Sequence, residues 1–141
     1  MFRYLPLAIL LAVSTPMSAV AADKAELASR YYEDALVRFQ RKDDAGAVIQ
    51  LKNALQQDPK MLPALMLLGQ AHLRKGEPAA AERVFQDAEK LGIARGQIAA
   101  HYAQAYFDQG KYKLLLERFG ADGLEPDARL EVLLYRARAQ L

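Results

Sequence analysis

The chain of 141 residues contains no cysteine and no tryptophan, and beyond residue 22 it holds one serine, Ser29, and no threonine. These absences remove whole classes of chemistry. Without cysteine there is no disulfide framework, no thiolate nucleophile and no thiolate metal site, and no thiol to which a lipid could be attached. Ser29 sits in "LASRYY" with no histidine near it in sequence, so it reads as a helix-surface residue rather than a nucleophile beside its base. A charge excess is missing as well. There are 19 Lys and Arg against 17 Asp and Glu, and Arg3 is the only charge in the first 22 residues, so residues 23–141 carry about +1. That balance gives no electrostatic case for a nucleic-acid partner or an anionic lipid surface.

The remaining motifs are equally sparse. His72 and His101 do not fall in HxxxH or HExxH spacing, so no metal site is assigned; His72 reads as a core or groove residue and His101 as a helix-face residue. "RKGEP" and "DQGKY" lack the spacing of a phosphate loop, and "KDDAG" reads as a turn in which Asp43 or Asp44 caps the following helix. Glu82, Asp87 and Glu89 read as a solvated face. No catalytic residue and no cofactor is expected, and the chain is not expected to be an enzyme.

The one long apolar run, Leu5 to Val13, follows Arg3 and precedes Pro16 and the small-x-small triplet Ala19-Val20-Ala21. This is the pattern of a signal peptide over 1–22, with cleavage after Ala21 or Ala22. The run is short of the roughly 20 residues a spanning helix needs. An exported, periplasmic protein of a Gram-negative envelope is expected, with no stable membrane insertion once the leader is removed.

The remainder, residues 23–141, repeats. Ala35, Gly69, Ala103 and Ala137 stand 34 residues apart, as do Phe39, Leu73, Phe107 and Leu141 four positions later. Ala47, Ala81 and Leu115 form a third series, and Leu51, Phe85 and Phe119 a fourth; a fifth, Ala54 and Ala88, fails at Asp122. Proline and glycine punctuate the same period, with Pro63 and Pro78 opening helices and Gly76 and Gly110 closing them. The spacing predicts helices over 24–41, 44–57, 61–75, 78–91, 96–109, 111–119 and 127–141. Gly69 inside a helix costs about 1 kcal/mol against alanine, so a close helix contact is expected there. The third repeat is expected to pack differently, because Leu115 replaces a small residue and Gly120 and Gly123 shorten its second helix.

A 34-residue period with small residues at these offsets resembles the tetratricopeptide repeat. The resemblance implies an all-α, right-handed solenoid of helical hairpins, about three and a half repeats over approximately 28–61, 62–95, 96–129 and a partial 130–141. In such arrays the first helices line a groove that receives partner proteins or peptide segments. Carrying those positions over gives Tyr32, Leu36 and Gln40 from the first repeat, Met66, Gln70 and Arg74 from the second, and Ala100, Gln104 and Asp108 from the third. The groove clamp for C-terminal carboxylates uses Lys and Asn where this chain has Tyr32 and Leu36, which argues against that clamp.

The stretches "AVIQLKNALQQDPK", "LLGQAHL" and "YFDQGKYKLLLERF" resemble the N-terminal part of exosortase-system tetratricopeptide proteins of the PrsT type. That resemblance implies a scaffold or adaptor for envelope proteins, tied to exopolysaccharide production and to sorting of PEP-CTERM proteins. Members are longer arrays and many are lipoproteins, which this cysteine-free chain does not match. Two other readings stand beside it. One is an assembly factor for another envelope machine, such as a pilus, a secretion system or peptidoglycan synthesis. The other is a polysaccharide-binding module using Tyr31, Tyr32, Tyr102, Tyr106 and Tyr112. The last helix carries Leu130, Val132, Leu133, Leu134, Tyr135 and Leu141, apolar on more than one side. Either the array continues, as in a fragment of a longer protein, or this end associates with another molecule, a second copy included.

Overall fold

A computed structural model describes residues 17–120 and 122–141. Seven helices follow one another: α1 (Met17–Gln40), α2 (Asp44–Gln57), α3 (Leu62–Arg74), α4 (Pro78–Lys90), α5 (Arg95–Asp108), α6 (Tyr112–Arg118) and α7 (Pro126–Ala139). They fall within a residue or two of the expected spans, except at the start. There α1 runs back to Met17, across the expected leader boundary, while the apolar run of the leader lies outside the described residues. No described helix is long and apolar enough to cross a membrane.

Local chemistry sets the helix ends. Prolines fill the first turns of α3, α4 and α7, where the missing N–H has no intrahelical partner to lose. Asp43, rather than Asp44, caps α2, its Oδ1 accepting from Gly46 N at 2.9 Å. The turns inside the three hairpins are the same turn, 34 residues apart. Lys42, Gly76 and Gly110 have φ of 64°, 73° and 69°. The next residue of each turn donates back to the first helix: Asp43 N to Arg38 O, Glu77 N to His72 O and Lys111 N to Tyr106 O, at 2.8–2.9 Å. Two of these left-handed positions are glycine; the first is lysine.

The hairpins α1/α2, α3/α4 and α5/α6 stack chiefly through the second helix of one against the first of the next, α2 on α3 and α4 on α5. α1 also touches α3, α3 touches α5 and α5 touches α7, while α4 and α6 meet through the pair Glu89–Arg118. The odd-numbered helices thus form one continuous layer. The repeating positions form its core. Ala35, Ala103, Ala47, Ala81, Leu115, Leu51, Phe85, Ala54 and Ala88 are fully buried and Phe119 nearly so. Gly69 shows why a small residue is needed. A Cβ there would sit 2.1 Å from Phe85 Cε1 and 2.5 Å from its Cζ. The Phe85 ring cannot retreat, being packed at 5.8 Å against His101 and at 5.6 Å against Tyr102. As expected, the third hairpin departs from the others: α6 is a helix of only seven residues, and Phe119 caps it instead of lying within it.

Candidate functional site

The odd-numbered layer carries a furrow. Phe39 at the end of α1, Gln70, Leu73 and Arg74 on α3, and His101 and Gln104 on α5 enclose about 190 Å³. His101 and Gln104 also border the next depression, of about 340 Å³, completed by Glu131, Leu134, Tyr135 and Arg138 on α7. The two share a wall, so the furrow is continuous from α1 to α7.

Of the carried-over groove residues, Gln70, Arg74 and Gln104 are brought together here. Tyr32 and Leu36 are half-buried and pack against the cluster of Val48, Leu51 and Leu68; neither lines this furrow. Met66 opens onto a separate apolar depression with Leu62, Pro63, Ile93 and Gln97. Ala100 is buried, and Gln40 and Asp108 are exposed at the last turns of α1 and α5.

The furrow is built firmly. Arg74 lies with its guanidinium carbon 3.9 Å from the centre of the Phe39 ring. Its Nη2 donates to Phe39 O at 3.1 Å and stands 3.0 Å from Asp44 Oδ1, an ionic contact too bent to count as a hydrogen bond. Gln70 Nε2 is 3.2 Å from His101 Nε2. His101 is thus not the plain helix-face residue its sequence position suggests: it is half-buried, stacked on Phe85 and part of the furrow wall. Burial pushes its pKa below the ordinary imidazole value, against the pull of the Glu131 charge, so the ring is neutral at pH 7. Burial likewise raises the pKa of Tyr135, helped by Asp108 and Glu131.

Other sequence-level candidates have structural work. His72 is buried, and its Nδ1 lies 2.7 Å from Glu77 Oε2, bracing the Gly76 turn. Glu82 is not a solvated residue. Its Oε2 accepts from Lys111 Nζ and from Gln109 Nε2, both at 2.7 Å, and ties the second hairpin to the third. Burial opposes its ionisation, but those two bonds outweigh it and hold its pKa below the usual carboxylate range. Glu89 pairs with Arg118, whose guanidinium covers the Tyr102 ring and donates to Tyr106 Oη. Ser29 donates to Ala25 O on the surface of α1, as its sequence context suggests.

The polysaccharide reading loses its platform at this point. Tyr102 and Tyr106 are buried in an aromatic cluster with Phe85 and Phe119, and Tyr31 and Tyr32 pack on the core. Tyr112 leans on Phe107 with ring centres 5.4 Å apart. Among the described residues no three His, Asp or Glu side chains gather to hold a metal ion.

Two furrow residues on α7 could have been found from sequence. Leu134 and Arg138 stand one 34-residue period beyond Ala100 and Gln104, so extending the same register reaches both. A family model described as the tetratricopeptide repeat matches residues 19–92, just over half of the chain. No curated protein matches it.

Proposed function

Because the chain belongs to the tetratricopeptide repeat family, we propose that it is a non-catalytic adaptor whose furrow receives an extended segment or helix of a partner protein. Repeats of this family generally mediate protein–protein interactions, and their proteins are typically scaffolds without catalytic activity. The observation that carries the reading is the convergence of Gln70, Arg74, His101 and Gln104 from two stacked helices into one furrow. Amide, imidazole and guanidinium groups there match the donors and acceptors of a peptide backbone, while Phe39 and Leu73 offer apolar contact.

The setting we propose is the periplasm of a Gram-negative envelope, with a client in exopolysaccharide production or export and PEP-CTERM sorting. The leader-like pattern of residues 1–22 and the resemblance to exosortase-system proteins support it. The test is photo-crosslinking in cells from residues 70 and 104, with Lys52 and Arg83, both exposed on the even-numbered helices, as controls. Adducts to one partner from the furrow positions alone are expected, and that partner is expected to be a polysaccharide-export or sorting component. Equal capture from the control positions refutes the furrow. Capture of a pilus, secretion or peptidoglycan component keeps the adaptor and replaces its client.

A further inference from the structure

The apolar depression at Met66 and the polar furrow at Gln70 lie end to end on one face of the molecule. Along α3 their lining residues Leu62, Met66, Gln70 and Leu73 follow at steps of four, four and three, the spacing of a single helix face. Across from them Ile93, Gln97, His101 and Gln104 repeat the same steps. Each stands 31 residues after its counterpart, so α3 and α5 run parallel, and the Gln70–His101 contact of 3.2 Å is one rung between them. The cleft between the two helices therefore has a graded chemistry. Towards their N-terminal ends Leu62, Met66 and Ile93 line an apolar space of about 480 Å³. The middle carries the amides of Gln70 and Gln104. The far end carries Arg74, which among the described residues is the only charged side chain lining either depression at pH 7.

Resting on the adaptor reading above, we propose that the guest of this cleft is an extended protein segment carrying a large apolar side chain and an acidic one four residues apart. From Met66 to Arg74 the helix rises by about 12 Å. An extended chain covers that length in about four residues at about 3.3 Å each, and side chains an even number of residues apart share a face. One side chain then enters the apolar end while the other meets Arg74. Asp44 stands at Arg74 Nη2, and Nε and Nη1 donate to nothing among the described residues, which leaves them for a guest carboxylate. Between the two anchors the amides of Gln70 and Gln104 lie along the path of the guest's main chain. An extended guest has its N–H and C=O groups free to pair with them, whereas a helix has already spent those groups internally.

Selection of short random peptides displayed on phage against the full chain tests this. Enriched sequences should place Leu, Ile, Met or Phe four positions from Asp or Glu. In fluorescence anisotropy with a synthetic copy of one such peptide, changing its acidic residue to the amide should weaken binding about tenfold. On Arg74→Gln, with helix content unchanged by circular dichroism, the same change in the peptide should cost nothing, and Arg74→Lys should restore part of the preference. Changing the apolar residue of the peptide to alanine should weaken binding whichever residue stands at 74. Enriched peptides without this pair, a pair seven or eight positions apart as on a helix, or an acidic residue whose loss costs as much on Arg74→Gln as on the native chain would each overturn the proposal and leave the adaptor standing. So would the absence of any enriched peptide while residues 70 and 104 still crosslink to a partner; if those crosslinks are absent as well, the adaptor reading falls with it.

Discussion

Replacing Gly69 by alanine separates two physical effects that act in opposite directions. Helix propensity alone predicts a gain of about 1 kcal/mol. The structure predicts a loss. The new Cβ would stand 2.1 Å from Phe85 Cε1, 2.5 Å from Cζ and 2.7 Å from Cδ1, where ordinary contact begins near 3.4 Å. The ring would have to retreat by about 1 Å, into His101 and Tyr102. Overpacking of this kind costs about 1–3 kcal/mol, and the short contact puts Gly69→Ala at the upper end, for a net loss of about 1–2 kcal/mol. The first hairpin supplies the remedy: its equivalent pair is Ala35 with Leu51, both fully buried. In a Phe85→Leu background, itself weakened by about 1–2 kcal/mol as a large-to-small change, Gly69→Ala should therefore be neutral or stabilising. Urea unfolding of the four proteins, followed by circular dichroism, gives the cycle. A coupling above about 1 kcal/mol is expected. A Gly69→Ala protein more stable than the parent, or additive single effects, would refute the close-contact account.

Lys42→Gly should stabilise the chain by about 0.5–1 kcal/mol in the same urea assay, because φ at Lys42 is 64° where the two equivalent turns place glycine. Glu82→Gln should lower the melting temperature at pH 7. The folded pKa of Glu82 is depressed, so its contribution is present above the unfolded value near 4.3, and the gap between the two proteins should close as the pH falls below about 4. The His101 imidazole should titrate below its usual value near 6.5 in a proton NMR titration. Since the unfolded chain then binds the proton more readily, stability should fall with pH from about 6.5 downward, and His101→Gln should flatten that slope.

Much of the architecture was legible because it depends on short-range and periodic signals. Proline at helix starts, glycine at the hairpin turns and the 34-residue register of small residues each act locally or through one repeated contact. The furrow was only partly legible. Gln70 and Gln104 follow from the register, but whether Tyr32 lines a groove or packs inward depends on how α1 lies over α2 and α3, which no periodicity encodes. His101 was missed because its neighbour Gln70 lies one helix away, and helix-face position alone does not say that a second helix stands there. Glu82 was misread for a similar reason: Lys111 and Gln109, which hold it, come from the next hairpin's turn.

The way Arg74 is pinned bears on the thermodynamics of recognition. A free arginine side chain loses roughly 2 kcal/mol of rotameric freedom when a ligand immobilises it. Here the Phe39 ring, the Phe39 carbonyl and Asp44 impose that loss when the chain folds. The Nε and Nη1 hydrogens have no partner among the described residues, so a guest acquires an oriented donor without ordering it. Calorimetry on a furrow ligand should then show a smaller entropic penalty for the native chain than for Phe39→Ala, at nearly equal charge.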